Sequence, residues 1–233
     1  LFREAILAEI NVAAEILNLI EIMEKLRSPS GCPWDKRQTP ESLKPCILEE
    51  AYELLEAIDN HDSDEICDEL GDLLFQVVFL AQIFSEQKKF GLAEVAHSIS
   101  EKLQRRHPHV FADASADSHA KLWEEAKHQE RLKNGKSHKL KDCIPANLPA
   151  LKKATKVVKR RKRENNATLI SRLQKNTSKL STLIEGPPAD RKLFEIILGD
   201  MLFNTVQLSH SLQIDAEDLL RQKTIQVMQE MDQ

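Results

Sequence analysis

The residues best suited to chemistry in this chain are acids at helical spacing. LEEAYELLEAI, residues 48–58, carries Glu49, Glu50, Glu53 and Glu56, and DELGDLLFQVVFLAQ, residues 68–82, opens with Asp68, Glu69 and Asp72. At about 100° per residue, Leu43, Ile47, Leu54 and Ile58 mark the buried stripe of the first helix. Glu50 falls at the edge of that stripe, Glu53 just beyond it, and Glu49 and Glu56 further round. In the second stretch, Leu70, Leu73, Leu74, Phe75 and residues 77–80 leave almost no polar face, yet Glu65, Glu69, Asp72 and Gln76 share one narrow strip. A helix that is apolar all round is normally buried, so these acids are expected inside or beside the core.

Carboxylates so placed need a compensating charge, because an unpaired buried ion is costly and neighbouring acids raise one another's pKa. The flanking apolar faces offer no Lys or Arg, whereas a divalent cation would serve directly. Glu50/Glu53 and Glu69/Asp72 are i,i+3 pairs that project from neighbouring turns of their helices. Two antiparallel helices bearing such pairs can surround a cation with oxygen ligands alone, the preference of Mg²⁺ or Mn²⁺, and the lack of His and Cys argues against zinc. The competing reading is a solvated acidic face, since EExxE alone is a common pattern. The second acidic pair and the short turn Asn60-His61-Asp62-Ser63, which forces the helices antiparallel, favour the metal. Magnesium held by carboxylates with open water positions suits polyphosphate chemistry.

The elements that must position these acids read as helices throughout. Among 233 residues, 41% are hydrophobic and 30% charged, which excludes a disordered chain and allows one large domain or two small ones. Six glycines are few for a turn-rich β fold or a Gly-looped nucleotide cradle. A net charge of −4 does not advertise nucleic-acid binding. Helical periodicity predicts elements over 4–26, about 40–58 with Thr39 as N-cap, 64–87, 92–106 and 119–133, with a loop at 28–40. Three more helices are expected after residue 150, Gly186-Pro187-Pro188 being the clearest break. The fold class is all-α, a helical bundle.

An internal repeat divides the chain. DELGDLLFQVVFLAQ (68–82) and IILGDMLFNTVQLSH (196–210) match at seven of fifteen positions, 128 residues apart. We therefore expect a first domain over 1–133, a linker over 134–150 and a second copy over 151–233. The four cysteines show no zinc or CxxC spacing and read as reduced thiols. The longest apolar run is broken by Gln76 and Gln82, and LFREAILAEI has two glutamates and no basic start, so neither a membrane span nor a signal peptide is expected. Cytoplasmic residence follows as an expectation.

GCPWDKRQT, LEEAYELLEAI, DELGDLLFQVVFLAQ and KLQRRHPHVF, in this order and spacing, resemble the MazG nucleoside triphosphate pyrophosphohydrolases over roughly residues 16–132. IPANLPAL (144–151) is similar to the linker of two-domain members. The resemblance implies an all-α pyrophosphohydrolase fold, a homodimer, and hydrolysis of a nucleoside triphosphate to the monophosphate and pyrophosphate. It implies Mg²⁺ at the EExxE and ExxD positions, here Glu49, Glu50, Glu53, Glu69 and Asp72, with Asp68 beside them. It also assigns Lys102 and Arg106 to the triphosphate and Trp123 to the nucleotide. Lys102 and Arg106 are i,i+4 on one helix face, as phosphate-neutralising cations would be, although each alone could be a surface cation and Trp123 a packing residue.

The second copy departs from the pattern. At the same offset Glu69 becomes Ile197, and Glu49, Glu50 and Glu53 become Thr177, Ser178 and Ser181, leaving Asp200 as the one surviving ligand candidate. This half reads as a degenerate copy that serves packing or dimerisation. KKATKVVKRRKR (152–163) carries eight basic residues and no acid, and reads as a solvated helix face or a polyanion contact without the aromatic residues that stack bases. His107 and His109 flank Pro108 and are expected to shape a turn. Trp34 and Asp35 either close over a nucleotide or anchor their loop. The residues thus predict a Mg²⁺-dependent enzyme, with a nucleotide-sensing helical protein or a polyanion-binding adaptor as alternatives.

Overall fold

The computed structural model describes residues 2–112, 139–186 and 190–232, and every regular element among them is a helix. The chain divides into two compact units, 1–127 and 128–233. The helix expected over 119–133 and Trp123 lie outside the described residues. No described helix is long and apolar enough to cross a membrane.

In the first unit, α1 (Phe2–Arg27) leads through a loop to α2 (Pro33–Arg37), a short helix inside the segment expected to be loop throughout. Then come α3 (Lys44–Asn60), α4 (Ser63–Glu86), α5 (Leu92–Arg106) and α6 (Pro108–Phe111). The regular part of α3 starts four residues later than the Thr39–Ser42 signal suggests. Thr39 and Ser42 do bond reciprocally, Ser42 N–H to Thr39 Oγ1 at 3.2 Å and Thr39 N–H to Ser42 Oγ at 2.9 Å. They close only a single turn, because Pro45 has no N–H to continue the ladder.

Two residues join α3 to α4. His61 takes the left-handed conformation that ends a helix, φ 57°. The Asp62 carboxylate then accepts from Asp64 N–H and Glu65 N–H, at 2.9 and 3.1 Å, and starts the next one. So short a connection makes the pair antiparallel. The core gathers on the far half of α4: Met23, Leu43, Val78, Phe79 and Ile83 are buried together, with Leu19, Ile20, Ile47, Phe75 and Leu92 around them. Arg27 locks α1 to this end. Its guanidinium donates to both Glu86 carboxylate oxygens at 2.8 Å and to the Asp35 carbonyl, and lies over the Phe79 ring.

The near half of α4 is not enclosed. Leu70, Leu74 and Val77 are exposed, so this helix, apolar all round in sequence, is buried only at Gln76, Val78, Phe79, Ala81 and Ile83. The expectation of full burial assumed neighbours on every side; within this unit the near half packs chiefly on α3.

The second unit holds α7 (Leu140–Cys143), α8 (Ala150–Val158), α9 (Asn166–Glu185), α10 (Arg191–Ser211) and α11 (Ala216–Met231). Among the described residues, four helices therefore follow residue 149 where three were expected. The extra break falls inside the basic run: α8 stops at Val158 and residues 159–165 are not helical. Val158, Val206 and Ala216 form the core with Leu151, Ala154 and Phe203. Lys152 ties α8 to the start of α11 through the Asp215 carboxylate.

Candidate functional site

The α3–α4 hairpin brings acids from both helices to one place. Carboxylate oxygens of Glu50, Glu69 and Asp72 all lie within 4.8 Å of one another. Glu50 and Glu69 are half-buried and Asp72 is exposed. Glu69 and Asp72 come together because they are one turn apart on α4; Glu50 meets them because the two-residue turn fixes the hairpin register. One Glu69 oxygen, Oε2, is buried without a hydrogen-bond partner.

The electrostatics follow from this crowding. Loss of hydration raises the Glu50 carboxyl above its ordinary value, opposed by a hydrogen bond from Gln76 and reinforced by the charges of Asp72 and Glu53. The Glu69 carboxyl is raised by lost hydration first, then by Asp72, Glu50, Asp68 and Glu65. Among the described residues, no Lys or Arg forms an ion pair with either acid. An all-oxygen group with an orphaned buried oxygen and mutual repulsion suits a hard divalent cation.

Gln76 is the residue that sequence reasoning placed on the acidic strip without giving it a role. It is buried, and its amide nitrogen donates to Glu50 Oε1 at 3.3 Å, while its own Oε1 is buried without a partner. The signal was available: a polar residue one turn beyond Asp72 in an otherwise apolar helix stretch.

The other residues singled out are arranged less closely. Glu53 interacts with Glu50, and Glu49 and Glu53 both face solvent. Lys102 stands on α5 in a separate groove with Phe90, Glu94 and Val95, and none of the acids lines that groove. Arg106 ends α5. Trp34 is 54% exposed on α2, while neighbouring Asp35 is buried. Arg27 grips both the Asp35 backbone and Glu86, which is fourteen residues past Asp72 and so about 21 Å along α4. Asp35 thus anchors its loop at the opposite end of α4 from the acids. His107 shapes the end of α5, its Nδ1 2.7 Å from the Leu103 carbonyl, with its ring against that of His109.

Comparison with known proteins gives this hairpin a context. Residues 38–111 match the MazG nucleotide pyrophosphohydrolase domain. The Thermotoga maritima nucleoside triphosphate pyrophosphohydrolase/pyrophosphatase MazG is 43% identical over 212 residues, 88% of this chain and 80% of that protein. The Escherichia coli K12 nucleoside triphosphate pyrophosphohydrolase is 40% identical over 216 residues, 89% of this chain and 82% of that protein. A crystal structure of a mazG-related protein from Thermotoga maritima aligns at a TM-score of 0.42 and 28% identity, over 48% of this chain and 97% of that one. On the 43% and 40% identity to those two pyrophosphohydrolases, across 80% and 82% of their lengths, the chain belongs to the MazG family of nucleotide pyrophosphohydrolases.

Proposed function

We propose that the first unit cleaves the α–β phosphoanhydride of nucleoside triphosphates, releasing the monophosphate and pyrophosphate, with Mg²⁺ held by Glu50, Glu53, Glu69 and Asp72. The observation that carries this reading is the three-carboxylate group with its buried, unpartnered Glu69 oxygen. Mn²⁺ has the same taste for oxygen and is the natural substitute. When bound, such an ion lowers the pKa of a coordinated water and offsets phosphate charge.

The chain's own residues supply the remainder. Gln76 holds the Glu50 carboxylate in position by donating to it. Glu49, exposed and adjacent to Glu50 in sequence, orients or deprotonates the attacking water. Lys102 and Arg106 neutralise the departing pyrophosphate, which requires α5 to approach the hairpin in the substrate complex. Trp34 stands in the loop held at the end of α4 away from the acids, which leaves Trp123 as the aromatic candidate for the nucleotide. Exposed Leu70, Leu74 and Val77 beside the acids support a homodimer that covers them. The role is nucleotide-pool housekeeping in the cytoplasm, without nucleic acid as substrate. The second unit is a degenerate copy beyond a linker at 134–150.

The test incubates the full chain with each nucleoside triphosphate and Mg²⁺ and measures pyrophosphate and monophosphate together. Equal amounts of both are expected, with loss of both in Glu50→Gln and Asp72→Asn. Release of inorganic phosphate and diphosphate instead would place the cut at the wrong bond. Binding without any product would favour the sensing protein over the enzyme.

A further inference from the structure

The basic run of the second unit, outside the reading just given, builds a cavity. Past the end of α8 at Val158, the segment 159–164 runs beside α10 and lines a partly open space of about 280 Å³. Its floor is apolar, with Val158 and Leu169 buried. Its walls carry Lys159, Arg161, Lys162, Arg163 and His210, against a single acid, Glu164. The Glu164 charge is already engaged by Arg172 at 2.7 Å.

Two arginines are fixed in place. Arg163 donates to the Ser211 carbonyl at 3.1 Å, and Arg161 lies over the Phe203 ring at 5.6 Å. Both contacts leave guanidinium N–H groups to spare. Among the described residues, no carboxylate forms an ion pair with Lys159, Arg161, Lys162 or Arg163. The carbonyl end of α8 accounts for one cation beside it, but its partial charge is far smaller than the charge gathered here. A second, independent observation points the same way. Gln207 is 94% buried, lines the cavity, and has no side-chain hydrogen bond among the described residues. Its amide is not among the fully enclosed unpartnered atoms, so it is open to the cavity and available to bond an occupant.

We propose that this cavity is a binding site for a small oligophosphate anion, with the forked guanidinium groups and Lys162 on its phosphate oxygens and the Gln207 amide completing the set. Multiple fixed cations favour a multiply charged, oxygen-rich ligand over a single carboxylate. No Phe, Tyr or Trp lines the space, so it offers no stacking platform for a base and suits a free phosphate chain better than a nucleic acid strand.

The test is titration of the full chain with inorganic pyrophosphate and tripolyphosphate in EDTA, which removes divalent cations and so separates this site from turnover in the first unit. Saturable binding at one anion per chain is expected, weakening as salt rises. Lys162→Gln and Gln207→Leu should each weaken it about tenfold, and Arg161→Gln with Arg163→Gln should remove it. Glu50→Gln should leave it unchanged, and circular dichroism melts identify any variant that has lost its fold. Absence of saturable binding would overturn the proposal, as would binding that survives all four substitutions in folded protein. RNA binding that these variants abolish and pyrophosphate does not displace would also overturn it, in favour of a nucleic-acid contact.

Discussion

The α3–α4 and α9–α10 helix pairs carry the matching Leu-Gly-Asp segments, and their differences separate what the packing needs from what the chemistry needs. Gln76 and Val78 are buried on α4, and Asn204 and Val206, 128 residues later, are buried on α10. Glu69, half-buried among acids, has Ile197 as its counterpart, and Ile197 is buried outright. The groove at that level of the second hairpin is lined by Lys175, Ser178, Lys179 and Ile196, with Asp200 as its one acid. An apolar side chain serves the packing at that position, so the carboxylate in the first hairpin has another reason to be there. That reason is charge, which a cation can compensate and Ile197 never has to.

The sharpest way to break this comparison is to neutralise the paired aspartates. Asp72→Asn is expected to cost pyrophosphohydrolase activity by about 100-fold or more, since even residues behind a metal ligand cost 10–100-fold. Asp200→Asn in the second hairpin should leave it unchanged. Equal effects on steady-state turnover would show that the two hairpins are not chemically distinct.

The units also differ in how their helices are clasped. Arg27 is almost fully buried and bonds two elements, whereas Lys152 and Asp215 are both about half exposed. Arg27→Ala should destabilise its unit by about 2–4 kcal/mol, the range for stripping a partner from a buried charged network. Lys152→Ala should cost at most about 1 kcal/mol, as exposed pairs do. Chemical denaturation of each variant reads the difference.

Arg27 holds the Glu86 carboxyl below its ordinary value of 4.5, by hydrogen bonding before charge. The sign follows: this contribution is complete above about pH 4.5 and is lost as pH falls through the lower folded-state value. Arg27→Ala should therefore flatten the acid limb of the stability curve, measured by urea titration at several pH values.

A cation should act on the first hairpin alone. Mg²⁺ at a hundred times its dissociation constant is expected to raise stability by about 2.7 kcal/mol at pH 7. Glu50→Gln should lose that shift in a thermal melt, and Asp200→Asn should keep it.

The smallest effect concerns the shared Leu-Gly-Asp. A Cβ built on Gly71 or Gly199 meets nothing within 4 Å, so packing within the chain does not require either glycine. Alanine at either position should stabilise the helix by about 0.5–1 kcal/mol. If a second chain or the substrate approaches α4 closely, Gly71→Ala alone should raise KM or weaken association, which kinetics and sedimentation would resolve.

Much of this was legible in the residues because helices advertise themselves locally. The limits of α4 and α5 follow from periodicity, and the structure adds the Asp62 cap at the start of α4. The α3 start was misplaced because the Thr39 signal is real but Pro45 interrupts the ladder after one turn. The break in the basic run was missed because Lys and Arg are good helix formers, and only packing against α10 turns the chain there.

Sequence alone determined the all-α class, the repeat and the list of acids, since each depends on spacing along the chain. The tertiary structure decided which acids meet. Glu50 of α3 meets Glu69 and Asp72 of α4, with Glu53 against Glu50, because a two-residue turn sets the register between helices. It also decided that the Asp35 loop is anchored at the other end of α4, and that a run of cations lines a cavity. Contacts between residues distant in sequence depend on how helices pack, and no local period encodes that.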